Sequence, residues 1–380
     1  MSGTTYHLRP ARGWLNDPNG MVHHGGRWHV FFQHNPDAPV HHRIAWGHCS
    51  SADLVHWREH PVAFRPTPGG PDAFGCWSGV LVPGPERPTV VYSGVVDESL
   101  TSTVCLRRGS EDLEVWGEPQ VVATTPDRDD VRVMRDPFVV QHAGRRWALV
   151  GAGLTDGTPA VLLFDAEDLL AWDYVGIFAA ARDDEVLAQA GPADVWECPQ
   201  LARLPGGEVA LVLSLHDEGR LTGAVAVTGE LVDEAGHPRL LPRQVQPLDA
   251  GTSFYAPQVA DDPDEGVWLM GWVREDGDPT GGTDQAGCLT LPRRLVPHGS
   301  GGCRLELDPR VAAGLPATLE TAAAQVISHP ELGQVELPPG SRVYVDADVT
   351  EIYPAGGVPV TTRHTLPWAL ADGQPGRSAR

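Results

Sequence analysis

The chain has 380 residues, 41% of them hydrophobic, enough to bury a large core and long enough for one large domain with a smaller one beside it. A formal net charge of −22 sets it against phosphate backbones and anionic lipid, so neither nucleic acid nor a membrane is expected as a partner. Gly (43) and Pro (35) make up about a fifth of the residues, too many for a helical protein and suited to short strands joined by turns.

In chain order, Met1 to Pro10 carries neither an apolar signal core nor a twin arginine, and no later stretch has the length of a membrane span. Short apolar, β-prone runs then recur at Trp28–His34, Pro88–Val96, Arg145–Leu154, Glu208–His216 and Gly266–Val273, their starts 60, 57, 63 and 58 residues apart. Five similar units at that period predict an all-β fold, a five-bladed β-propeller of about four strands per blade. The plain alternative is a β-sandwich with fortuitous spacing. Helical signals are sparse: a turn or two over Asp183–Ala190, and an Ala-rich stretch from Ala312 to Gln325 broken by Gly314 and Pro316. At His298-Gly299-Ser300-Gly301-Gly302 the period stops, which places a boundary there. The expected organisation is a catalytic propeller over residues 1–297, a reduced β-sandwich-like domain over 298–371, and a disordered tail over 372–380. Strands of the second unit are clearest at Ser341–Tyr353 and Pro359–His364.

Three acidic clusters stand out: Trp14-Leu15-Asn16-Asp17-Pro18-Asn19-Gly20, Met134-Arg135-Asp136-Pro137, and Trp196-Glu197-Cys198-Pro199-Gln200. In each, a carboxylate stands beside a large apolar residue and a proline, which fits a strand start or edge. They fall near the starts of blades one, three and four, so they are expected to converge on the axis. Singly, such tripeptides are usually turns. Together they fit glycoside hydrolysis, which needs one ionised and one protonated carboxyl group across the scissile bond. Asn16 and Asn19 are expected to donate to Asp17 and keep it charged. Trp196 and Cys198 are expected to keep Glu197 protonated, and Arg135 to pair with its neighbour Asp136.

At these residues the chain resembles glycoside hydrolase family 32, the invertases, levanases and inulinases. The Trp14–Gly20 heptad is similar to that family's nucleophile signature, Arg135-Asp136-Pro137 to its R-D-P motif, and Glu197-Cys198 to its E-C motif. Phe31-Phe32-Gln33-His34-Asn35-Pro36, Trp46-Gly47-His48, Cys76-Trp77-Ser78-Gly79, Tyr92-Ser93-Gly94, Asp249-Ala250-Gly251 with Phe254-Tyr255-Ala256, and Leu289–Arg293 extend the resemblance, which runs from about Tyr6 to Arg294. It implies a five-bladed propeller, a retaining β-fructofuranosidase with Asp17 as nucleophile, Glu197 as acid/base and Asp136 as transition-state stabiliser, and no metal or organic cofactor. It also implies fructose contacts from Asn16, Gln33, Trp46, Trp77, Ser78, Arg135 and Tyr255.

The chain departs from that family in two places. Where the family often has Trp, five residues before the Trp of W-G-H, this sequence has His41. After the propeller only about 80 residues remain, too few for a full β-sandwich, so the remnant is expected either to dock on the propeller or to pair through an exposed strand edge into a homodimer. His23-His24 and His41-His42 read as solvated loop residues rather than metal ligands, and Cys198 as a buried neighbour of Glu197. The six cysteines form no C-x-x-C pair and are expected as free thiols, which with the N-terminus makes the cytoplasm the expected location. The expected substrate is sucrose or a short fructo-oligosaccharide. Transfer of fructose to another sugar, a non-catalytic sugar-binding propeller, and a related five-bladed pentosan hydrolase are the alternatives.

Overall fold

The computed structural model describes residues 6–82, 87–262, 266–275, 284–299, 301–329, 333–363 and 369–370. The expected tail at 372–380, Ser300 and His364 lie outside the described residues. Five inner strands, Gly13–His24, Gly75–Leu81, Val131–His142, Val195–Arg203 and Phe254–Asp262, contact one another in a closed ring, the fifth returning to the first. Each opens an antiparallel four-stranded blade. In blade 1 the inner strand is followed by Arg27–Asn35, Ala45–Ser51 and Trp57–Glu59. Blade 2 adds Thr89–Val95, Ser102–Arg108 and Gln120–Ala123. Blade 3 adds Arg145–Leu154, Pro159–Asp165 and Asp173–Ala180. Blade 4 adds Val209–Asp217, Arg220–Glu234 and His237–Pro247. Blade 5 adds Gly266–Val273, Arg293–His298 and Gly302–Leu307. The five apolar runs of the sequence are thus the second strands.

Those strands are predominantly apolar because both faces are buried. Alternation sends Val30 to the core shared with blade 5 and Phe31 to the core shared with blade 2. Five such cores, one between each pair of neighbouring blades, hold the ring together. Closure is chemical as well as steric. Gln285–Ala286, from blade 5, pairs in parallel with Gly13 and Trp14 of blade 1. The next residue, Gly287, has φ +83°, and a Cβ there would stand 1.8 Å from the Leu15 carbonyl oxygen, so only glycine fits.

The expected domain boundary at 297 needs correction. The Gly-rich segment is the hairpin turn of blade 5, with Gly299 and Gly301 at positive φ, and the propeller sheet continues through Leu307. A Gly-rich turn and a linker look alike in sequence. Beyond it, Asp308 caps the short helix Pro309–Gly314 by accepting a bond from the Arg310 amide. Two small sheets follow. One orders Leu319–Glu320, Arg342–Asp346, Val349–Tyr353 and Val360–Arg363; the other pairs Gln325–His329 with Gly333–Leu337 and Ala369–Leu370. They share a core of Ile327, Leu337, Val343, Ile352 and Val360.

This remnant docks on the propeller, the first of the two expected arrangements. The amides of Ala250 and Ser253 donate to the carbonyls of Pro359 and Thr361 at 2.8 and 3.1 Å, covering the edge of Val360–Arg363. Beneath that seam Arg293, fully buried, donates to Asp249 (2.7 Å) and Glu351 (2.9 Å). From the N-terminal segment, His7 reaches Asp346 and Glu351 at 2.9 and 3.0 Å. Among the described residues no helix is long and apolar enough to cross a membrane.

Candidate active site

One local device builds the site. In four of the five inner strands the ladder slips just before a proline, at Asp17-Pro18, Asp136-Pro137, Cys198-Pro199 and Ala256-Pro257. The residue before each proline has positive φ: 23°, 61°, 46° and 42°. These are β-bulges in a conformation rare for residues other than glycine, and proline, lacking N–H, loses no ladder bond there. In blade 2 the slip falls between Cys76 and Gly79, across Trp77 and Ser78. A bulge re-aims side chains, and these five sit on the strands that line the axis.

Asp17 is reached from two sides on one oxygen: Gln33 Nε2 donates to Oδ2 at 2.9 Å and Ser78 Oγ at 2.7 Å. Gln33 Nε2 also donates to Ser78 Oγ at 2.7 Å. Asn16, whose Oδ1 accepts from the Trp14 indole at 2.7 Å, supports the charged form, as expected. Asn19 does not: its Oδ1 accepts from the Gly79 amide at 3.2 Å, so it ties blade 1 to blade 2. Burial dominates the balance, and with the nearby charge of Glu197 it pushes Asp17 up to about 6.

Arg135 does not pair with its sequence neighbour. Its Nε donates to Glu197 Oε1 across the blade boundary at 2.7 Å, while the Tyr255 hydroxyl donates to Glu197 Oε2 at 2.6 Å. The close approach of blades 3 and 4 permits this. A Cβ at Gly151 would lie 2.4 Å from the Trp196 carbonyl oxygen and 3.1 Å from that of Arg135. Asp136 is held instead by the Cys198 amide at 3.1 Å and the Ser93 hydroxyl at 3.4 Å, and its own amide donates to Ser93 Oγ at 2.7 Å.

The expected charge assignment is therefore corrected for the free protein. Burial would raise Glu197, but the Arg135 charge and the Tyr255 hydroxyl outweigh it and hold its carboxyl below the usual range. Asp136 is raised, by burial and by the Glu197 charge, with Arg135 offsetting only part. Glu197 and Asp136 share one guanidinium, and Asp17 feels Glu197 and is felt by Asp136, so the three buried carboxyl groups titrate as a set around a shared proton.

Of the ten expected site residues, nine converge: Asn16, Asp17, Gln33, Ser78, Arg135, Asp136, Glu197 and Tyr255 through the bonds above, and Trp77 through His41, whose ring it meets edge-on at 5.6 Å. Trp46 does not. It is fully buried between blades 1 and 2 against Phe64 and Tyr92, and its indole donates to the Trp77 carbonyl at 3.0 Å. It lies on a third strand, a layer away from the axis, and so supports Trp77 rather than lining the pocket. Ser93 stands in the Tyr92-Ser93-Gly94 motif without a part in the expected site, yet it holds Asp136. His41 reads in the sequence as a substitution and a solvated loop residue, with no contact in the site. His41 Nε2 contacts Gln33 Oε1 at 3.2 Å. Below the carboxylates, Pro18, Pro137, Pro257, Gln200 and Gln258 line a small axial cavity. Among the described residues no cluster of three or more His, Cys, Asp or Glu is arranged to hold a metal ion.

Comparison with known proteins agrees with this architecture. The model of the glycosyl hydrolases family 32 N-terminal domain matches residues 7–306. The sucrose-6-phosphate hydrolase of Escherichia coli is 31% identical over 311 residues, which is 76% of this chain and 61% of that protein. That of Klebsiella pneumoniae is 37% identical over 286 residues, 72% of this chain and 59% of that protein. The raffinose invertase of Escherichia coli is 29% identical over 376 residues, 90% and 76% of the two chains. The match thus spans about three fifths of the two sucrose-6-phosphate hydrolases. Among solved structures, the sucrose-6-phosphate hydrolase from Lactobacillus gasseri superposes with a TM-score of 0.78 at 20% identity, covering 98% of this chain and 91% of that one. The Bombyx mori family 32 β-fructofuranosidase gives 0.77 at 23% identity, covering 96% and 90%.

Proposed function

The chain belongs to glycoside hydrolase family 32, and from that premise we propose that it is a retaining β-fructofuranosidase, releasing terminal fructose from sucrose or short fructo-oligosaccharides. Asp17 attacks the anomeric carbon, Glu197 protonates the leaving oxygen, and Glu197 then activates the water that frees fructose. Asp136 and Arg135 grip fructose hydroxyls, more tightly as the ring becomes oxocarbenium-like. Cytoplasmic action on small sugars belongs to the same proposal. The six cysteines support it, all of them buried and free.

The observation that carries the reading is the convergence of three buried carboxyl groups from three blades, two of them sharing one arginine. Glu197 must hold a proton to act as acid, yet in the free site Arg135 and Tyr255 favour its charged form. Fructose hydroxyls donating to Asp136 would stabilise that carboxylate and pass the shared proton to Glu197. Substrate binding thereby arms the acid. A phosphorylated disaccharide is a second substrate of this class, favoured by the exposed His42 and Arg43 beside His41. Comparing kcat/KM for sucrose and sucrose 6-phosphate decides between them.

The test is fructose release from sucrose by the wild type and by Glu197→Ala. The wild type should release fructose and the variant should lose a factor on the order of 10² to 10⁴, the usual contribution of a positioned acid/base. Absence of release by the wild type from sucrose, its phosphate and short fructans would overturn the proposal. Products lengthened at high sucrose would instead mark a transferase.

A further inference from the structure

We propose that His41, on the loop between the second and third strands of blade 1, is a positioning residue that fixes which way the Gln33 amide faces and so controls the ionisation of Asp17. The inference rests on Asp17 being the nucleophile for its meaning in catalysis, but not for its test.

A glutamine amide presents an acceptor at one end and a two-hydrogen donor at the other, and its surroundings decide which end faces where. Gln33 Nε2 spends both hydrogens, on Asp17 Oδ2 at 2.9 Å and Ser78 Oγ at 2.7 Å. Ser78 in turn donates to Asp17 Oδ2. The Gln33 oxygen points the other way, to His41 Nε2 at 3.2 Å. That oxygen can only accept, so Nε2 carries the hydrogen and the relay runs from His41 through Gln33 to Asp17.

The ring is set for the task. Trp14 and Trp77 meet it edge-on at 6.3 and 5.6 Å, with interplanar angles of 85° and 65°. Asn35 anchors the loop, its Nδ2 donating to the Val40 carbonyl at 3.0 Å. His41 as a whole is exposed, so it is not part of a packed core.

The consequence is thermodynamic. When Asp17 is charged, its own field draws in the Gln33 NH₂. When Asp17 is protonated, a free Gln33 would turn over and accept the new O–H. His41 blocks that turn and denies the neutral carboxyl its acceptor. It therefore favours the charged form of a group that burial is pushing towards neutrality. The other ionisable groups around Asp17 are Asp136 and Arg135 from blade 3, Glu197 and Cys198 from blade 4, and Tyr255 from blade 5. Glu197 is felt at His41 through its charge, but the hydrogen bonds that hold Asp136, Arg135, Glu197 and Tyr255 run among themselves and to Cys198, so they stay in place when His41 is replaced.

The test titrates the Asp17 carboxyl directly, by carbon NMR of carboxyl-labelled full-length protein without substrate, with Asp17→Asn for assignment. His41→Phe keeps an aromatic ring but has no donor. Its midpoint should rise by about half to one unit, the scale of one weakened hydrogen bond to a carboxylate. His41→Gln restores a donor and should return the midpoint to the wild-type value. The basic limb of kcat/KM, which Asp17 sets because it titrates above Glu197 in the free site, should move to higher pH by the same amount. An unmoved midpoint in His41→Phe overturns the proposal, as does a shift that His41→Gln fails to reverse. Should the phenylalanine variant not fold, His41→Ala reads the same quantity. A protein inactive on every fructoside but showing the midpoint shift would refute the function and leave the relay standing.

Discussion

Tyr255→Phe should move the acid limb of the kcat/KM profile upward, because in the free site Glu197 titrates below Asp17 and so sets the lower limb. The hydroxyl donates to Glu197 Oε2 at 2.6 Å and is one of the two groups that hold this carboxyl low against its burial. A hydrogen bond to a charged group is worth about 1.5–3 kcal/mol, and about 1.36 kcal/mol is one pKa unit. Arg135 stays in place and a water can occupy part of the vacated space, so the lower end applies and Glu197 should rise by about one unit. The sign follows: a stronger hold on its proton raises the share of enzyme with Glu197 protonated and Asp17 charged. The basic limb, set by Asp17, should stay or drift down, because Glu197 carries less charge to push Asp17 up. The side chain is 2% exposed and the ring is retained, so folding should be unaffected. The assay is kcat/KM for fructose release across roughly pH 3 to 9, where limbs report the free enzyme. An acid limb that stays still while the rate falls would show that Tyr255 orients substrate instead of holding the charge of Glu197.

Two further outcomes concern the seam between propeller and C-terminal sheets. Arg293→Met strands Asp249 and Glu351 in a site where neither side chain has more than 1% exposure, and should cost about 3–5 kcal/mol in denaturant unfolding, with early proteolysis after Leu307. His7 gives the seam a pH window. Burial would lower it, but Asp346 and Glu351 raise it above its ordinary 6.5, so its contribution is complete below that value and is lost as pH rises through the raised one. Glu351, which burial would raise, is drawn down to about 2, chiefly by Arg293 and His7, so its contribution is present above its ordinary 4.5 and fades as pH falls towards 2. Thermal melts should therefore peak between those values, and His7→Gln should flatten the alkaline side.

Much of the architecture was legible because burial on both faces leaves a strong trace. The second strands, with Val30 and Phe31 serving different cores, had to be predominantly apolar, and their spacing counted the blades. The carboxylates were legible as motifs. Their partners were not. Arg135 and Asp136 are adjacent in sequence, yet a bulge lies between them and their register neighbours, and Arg135 meets a residue 62 positions away. Local context therefore reversed the charge assignment: Trp196 and Cys198 flank Glu197 in the chain, but Arg135 and Tyr255 touch its carboxylate. Trp46 looked like a platform because nothing in W-G-H says which strand of the blade carries it. His7 and Asp346 meet across 339 residues, a distance no pattern spans.

The five bulges also explain why the site is charged as it is. Every inner strand delivers a polar group at the slip or one residue before it, and blade 3 delivers two: Asp17 from blade 1, Ser78 from blade 2, Arg135 and Asp136 from blade 3, Glu197 from blade 4 and Tyr255 from blade 5. Three positions carry carboxyl groups, and the other two carry hydroxyls that donate to them. A fourth carboxylate in place of Ser78 or Tyr255 would put four acids in a site with one arginine, and the extra proton it forced there would neutralise either the proposed nucleophile or the proposed acid/base. Neutral donors at blades 2 and 5 avoid this while still lowering the carboxyls they touch. The near five-fold repeat thus supplies the convergence, and departure from it, with hydroxyls at two positions, lets three buried acids keep separate roles.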